Sequence, residues 1–160
     1  GVTGELLRIE QRLEGLAEAL RRKLRSDSSR FVEGFVTATL LYLTGAMTIV
    51  GSIRDGTVGD ASVLLLKSLL DGVASVALAS SLGVGVMFSA LPVLVVQGGI
   101  TLLAAHLAFL SQPAVLDAVN ATGGLLILGI GINLLEIGRI HVGNLLPVLL
   151  YAIVGAVLFP

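Results

Sequence analysis

The sequence predicts an all-α fold, a polytopic membrane protein with about five hydrophobic spans preceded by an amphipathic cytoplasmic helix. Three observations carry that prediction. Hydrophobic residues fill 55% of the 160 positions and charged residues only 13%, whereas a soluble domain carries roughly 25% charge. Seven of the ten Lys and Arg residues lie between Arg8 and Arg30, leaving Arg54, Lys67 and Arg139 for everything that follows. Long apolar runs then alternate with short polar breaks. Such a chain cannot cover a globular surface, so the bilayer is the expected solvent for residues 31–160. Residues 1–30 form a separate amphipathic helix and linker.

The helix comes first. Leu6, Ile9, Leu13, Leu16, Leu20 and Leu24 recur at steps of three and four, which makes one stripe of a helix over residues 4–25. Acids gather early and bases late, as the helix dipole favours. Ser26-Asp27-Ser28-Ser29 reads as stop and linker. This helix is expected to lie on the membrane or to pack against another helix.

The spans follow. Val32–Ile53 has about the ~20 residues that cross the hydrocarbon. Arg54 to Asp60 reads as a turn, Ala61–Ala79 as the second span, and Met87–Leu110 as the third, interrupted by Pro92 and Gly98-Gly99. Ser111-Gln112-Pro113 turns the chain into a fourth span, Val115–Ile137. Leu145–Phe159 is short for a full crossing. The basic segment before Phe31 stays inside by the positive-inside rule, which puts Arg54 outside, Arg139 and His141 inside, and Pro160 outside. A faint repeat at an offset of 55 pairs Leu82–Leu94 with Ile137–Leu149 and superposes two Leu-Pro-Val-Leu runs. Each copy would open an outward-going helix near its first turn, where proline is tolerated.

Several functions are excluded on this basis. Without cysteine there is no disulfide framework, thiolate metal site or cysteine nucleophile. A net charge of −1 leaves no basic footprint for nucleic acid. Metalloprotease, serine-hydrolase and phosphate-loop motifs are missing, and two histidines in separate segments make no zinc site. No enzyme activity, catalytic residue, metal or cofactor is expected. The expected partners are the lipid bilayer, a second copy of the chain in a homo-oligomer, and a small cation or polar solute.

Ionisable groups inside a bilayer are costly, and they point to the candidate site. Lys67 and Asp71 stand at i,i+4 on the second span with Ser75 one turn further, so ammonium and carboxylate can pair within one helix. On the first span Glu33, Thr37, Thr44 and Thr48 fall within about 60° of one another around a helix. Gln97 comes from the third span and Asn133 from the fourth. Together these nine residues are expected to line a polar path, with Asp71 holding an ion or proton and Lys67 tuning it by opposing charge. The duller reading of the same residues is interhelical glue. His106 is a lone histidine and Glu136 sits near a span end, so neither enters the path.

Longer motifs carry a family resemblance. Glu33-Gly34-Phe35-Val36-Thr37-Ala38-Thr39-Leu40-Leu41, Lys67-Ser68-Leu69-Leu70-Asp71-Gly72, Phe88-Ser89-Ala90-Leu91-Pro92-Val93 and the Gly123–Leu135 run occur in this order. The chain resembles the YqgA/YdfK-type bacterial inner-membrane family, domain of unknown function 554, from the Gly4–Glu10 run to Leu150. The resemblance implies a helical protein of the bacterial plasma membrane and a sodium channel or pump. It also implies further hydrophobic segments ahead of the Gly4–Glu10 run, whereas this sequence begins at Gly1. A pore that needs those segments would be incomplete in this chain. The expected function is a membrane transport protein, a cation channel or ion-coupled carrier; the alternative is a non-transporting scaffold.

Overall fold

A computed structural model describes Glu5, residues 8–26 and residues 29–158, and the described residues form helices and no strand. Gly4, Leu6 and Leu7 of the expected first helix, Asp27 and Ser28 of the linker, and Phe159 and Pro160 lie outside the described residues. Helix α1 runs Ile9–Lys23, with Glu10 in its first turn and Arg21, Arg22 and Lys23 in its last. Its Ala17 is buried, and Leu13 packs into a cluster with Leu40, Leu126, Ile130 and Val142. Part of α1 therefore rests on the chain's own helices, while Leu16 and Leu24 of the expected stripe are exposed.

The expected straight first span, Val32–Ile53, is instead a bent pair. Helix α2 covers Phe31–Leu43 and α3 covers Ala46–Val58, meeting at 63°. The cause is local. The Thr44 hydroxyl donates to the Leu41 carbonyl at 3.3 Å, and the buried Thr48 hydroxyl donates to the Tyr42 carbonyl at 2.9 Å. These bonds replace ladder bonds at the end of α2, and Gly45 adopts an extended conformation between the two helices. The expected turn at Arg54–Asp60 begins later, because α3 continues through Arg54. Gly59 ends it in the left-handed conformation, where its N–H and that of Asp60 take the Asp55 and Arg54 carbonyls.

Helix α4, Ser62–Leu82, starts behind Asp60, which accepts the Ser62 N–H at 3.0 Å and pairs with Arg54 at 2.5 Å. The third span is shorter than Met87–Leu110. It consists of α5, Gly85–Phe88, and α6, Ala90–Leu102, which together are long and apolar enough to cross. A short α7, Ala104–Leu107, and a 3-10 turn, Ala108–Ser111, follow. Pro113 then opens α8, Pro113–Leu134, and a 3-10 turn at Val142–Leu145 leads into α9, Pro147–Leu158. Three helices pass as candidate crossings, the bent pair passes when taken as one span, and the last helix is shorter. Both copies of the faint repeat place a short helical turn before a helix with proline in its first turn.

The traverses alternate in direction. At one end Arg30 donates to the Ser81 carbonyl at 3.3 Å and approaches Glu136 at 3.8 Å. The opposite end holds the Arg54–Asp60 pair. In lipid, helices gain little hydrophobic energy by leaving the acyl chains, so close backbone approach matters more. Such approach is present along the bent pair. A Cβ on Gly85 would collide with the Phe31 carbonyl, one on Gly123 with the Thr44 carbonyl, and one on Gly56 with the Thr101 carbonyl. Facing outward, α4 leaves Leu65, Leu69, Val73 and Val76 exposed.

Candidate functional site

The nine expected path residues fall into three places. Lys67, Asp71, Ser75 and Gln97 line one cavity of about 450 Å³ between α4 and α5–α6. Glu33, Thr37 and Asn133 line a second cavity of about 840 Å³ at the Arg30 end. Thr44 and Thr48 lie buried at the bend and line neither. The two cavities share no lining residue. Tyr42 faces the first and Leu40 the second, so α2 is the wall between them. The expected continuous stripe is cut because the 63° bend separates Thr48 from the Glu33–Thr37 face.

In the first cavity Lys67 is 6% exposed, and its ammonium pairs with Asp71 across one helical turn. The same ammonium stands 5.8 Å from the centroid of the Tyr42 ring, whose quadrupole favours a cation. The Tyr42 hydroxyl and Ser75 Oγ are 2.6 Å apart, which ties α2 to α4. Ser68 and Ser89 turn their hydroxyls back to the carbonyls of Leu65 and Val86. Val76, Val86, Met87 and Val93 make the rest of the wall apolar. Tyr42 and Ser89 were not among the sequence candidates. Tyr42 sits in an apolar run 33 residues from its partner, and no local spacing announces the contact.

In the second cavity Asn133 and Glu10 are used for holding, while the Glu33 and Thr37 side chains make no hydrogen bond or ion pair among the described residues. Asn133 donates to the Ile140 carbonyl and accepts the Ile140 N–H, both at 2.7 Å, and so clamps the loop after α8. Glu10 accepts the Gly143 N–H at 3.0 Å, and its own N–H donates to Asn144 at 3.2 Å, docking α1 on the Val142–Leu145 turn. Burial pushes the Glu10 carboxyl above its ordinary value, against the lowering effects of His141 and the Gly143 bond. Glu14, Glu136, Arg139 and His141 complete the lining, and none of these was a path candidate. His106 is exposed. Among the described residues, no group of three or more His, Cys, Asp or Glu is placed to hold a metal ion.

Comparison with known proteins places this chain in a family. The family model described as "Protein of unknown function (DUF554)" matches residues 1–157. The chain is 33% identical over 150 residues to the uncharacterized membrane protein YdfK of Bacillus subtilis (strain 168), covering 94% of this chain and 63% of that protein. It is 33% identical over 132 residues to the uncharacterized protein YqgA of Escherichia coli (strain K12), covering 82% and 55%. The chain thus spans less than two thirds of the length of these relatives. No solved structure matches it. With the match running almost end to end, the chain belongs to the DUF554 family of membrane proteins.

Proposed function

We propose that the protein is a non-enzymatic membrane carrier for a small polar solute, with Lys67 and Asp71 as its binding centre. The observation that carries this reading is the buried Lys67 ammonium, paired with the half-buried Asp71 and facing a cavity of about 450 Å³ within candidate membrane spans. Ionisable groups at such depth are costly and mark solute or proton routes. The two separate cavities on either side of α2 favour a carrier over an open channel, because they share no lining residue and form no continuous path. The Lys67 ammonium also disfavours a bare sodium ion on Asp71. Two like charges about 4 Å apart at an effective dielectric of about 20 repel by about 4 kcal/mol.

The address that goes with this reading is the bacterial inner membrane, with residues 1–30 on the cytoplasmic side and the chain assembled as a homo-oligomer. The test is flux in liposomes under a proton or sodium gradient. Asp71→Asn and Lys67→Ala are expected to abolish gradient-driven flux; unchanged flux in both would remove these residues from the mechanism. The exposed face of α4 (Leu65, Leu69, Val73, Val76) favours a second reading, a scaffold that packs against another subunit. Under it, Asp71→Asn weakens the fold while the folded fraction keeps its full activity.

A further inference from the structure

We infer that the ligand of the Lys67–Asp71 cavity is a zwitterion, with an ammonium and an oxyanion close together on a compact apolar body. This rests on the carrier reading above. The chemistry comes from what the pair leaves unused. Lys67 carries three N–H donors, and among the described residues only Asp71 accepts one. Asp71 uses one carboxylate oxygen on Lys67, and its other oxygen has no donor there. Ser68 and Ser89 donate to backbone carbonyls, and Tyr42 and Ser75 share one bond that leaves a single hydroxyl hydrogen over, so the nearby hydroxyls compete only weakly.

The remaining capacity is therefore paired, with donors on Lys67 and an acceptor on Asp71 one helical turn away. A ligand with one charge engages one side and leaves the other short of partners, with Lys67 buried and Asp71 half-buried. A zwitterion engages both while the net charge of the site stays zero, which avoids burying an unpaired charge. The volume suits an organic molecule. About 450 Å³ equals roughly fifteen waters at about 30 Å³ each, far more than a bare ion fills. The wall of Val76, Val86, Met87 and Val93 asks for an apolar body, and Val76 and Met87 leave the rim open on the outer face, being 75% and 63% exposed.

A free solute and a lipid headgroup share this chemistry, and calorimetric titration of the purified full chain in detergent separates them. The probes are leucine, isovalerate and isopentylamine, which share a body and differ in charge. Dihexanoyl phosphatidylethanolamine is compared with dihexanoyl phosphatidylglycerol. Leucine, or the ethanolamine lipid, is expected to bind at least about tenfold more tightly than its singly charged counterparts. Whichever zwitterion binds names the source. Asp71→Asn should erase the preference for leucine over isovalerate, and Lys67→Met the preference over isopentylamine. The wild-type comparison decides the matter even where a variant fails to fold. Equal binding of a singly charged probe, or no heat from either zwitterion at millimolar concentration, overturns the inference. If Asp71-dependent flux persists in that case, the carrier reading stands with another ligand. If a zwitterion binds and flux ignores Asp71, the site stands and carriage fails.

Discussion

Two cavities lie on opposite sides of α2, and both are lined by charged and amide side chains. At the Lys67–Asp71 cavity those side chains belong to candidate membrane spans and keep hydrogen-bonding capacity to spare. At the Arg30 end, Asn133 and Glu10 turn theirs onto the backbone of Ile140 and Gly143, where each bond fastens a loop or a helix. The contrast teaches that polarity within an apolar chain is ambiguous until its partners are known. A side chain that meets backbone groups is holding the fold, and one that meets an opposite charge beside empty space is available to a ligand.

The sharpest way to break the comparison is at the ion pair. Asp71→Leu leaves the Lys67 ammonium buried without its counter-charge, which costs about 3–5 kcal/mol. Adding Lys67→Met should recover most of the lost stability and none of the flux. Denaturant titration in detergent, followed by liposome flux on the folded fraction, reads both quantities. Failure of the double variant to regain stability would mean that the pair's packing, and not its charge, is what matters.

Next in size is the grip on the bend. Gly123→Ala pushes a methyl into the Thr44 carbonyl, an overpacking that costs about 1–3 kcal/mol. At Gly124, one position on, nothing lies within 4 Å. Gly124→Ala should gain up to about 1 kcal/mol by helix propensity. Equal melting temperatures for the two variants would show that α8 does not press on the bend. A comparable loss is expected at Asn133→Ala, which removes two bonds from a half-buried group at about 1 kcal/mol each. Flux per folded molecule should survive that change. A specific loss of flux would return Asn133 to the path and erase the distinction between the cavities.

These expectations also mark how far the sequence could be read. The apolar runs, bounded by Gly59-Asp60 and Gln112-Pro113, announced the helices, and the spacing of Lys67 and Asp71 announced their pairing. The bend was not legible, because Thr44 and Gly45 interrupt a run that is apolar on both sides and contains no proline. Its signal is the pair of threonines four residues apart flanking a glycine, a pattern that fits a polar stripe equally well. The division into two cavities depends on which way α2 faces its neighbours, and no periodicity encodes that. Asn133 was legible as a polar residue in a greasy segment, but its partner is a backbone seven residues away across a loop.

The smallest effect belongs to Glu10. Burial raises its carboxyl above the ordinary value of 4.5, Glu14 adds to the rise, and His141 with the Gly143 and Asn144 bonds opposes it. Between the ordinary and raised values the docked α1 holds more protons than an undocked one. Docking is therefore strongest at low pH and weakens as pH climbs through that window. Nitroxide labels at Arg12→Cys and Arg139→Cys should report a broader distance distribution at neutral pH than near the ordinary carboxylate value of 4.5. Glu10→Gln should flatten the response, since its carbonyl oxygen still accepts the Gly143 N–H without a charge to bury. His141→Ala removes an opposing cause and should move the response to higher pH. Identical distributions at both pH values in the wild type would reduce Glu10 to a passive peg, and the Arg30 end would then hold its helix without sensing anything.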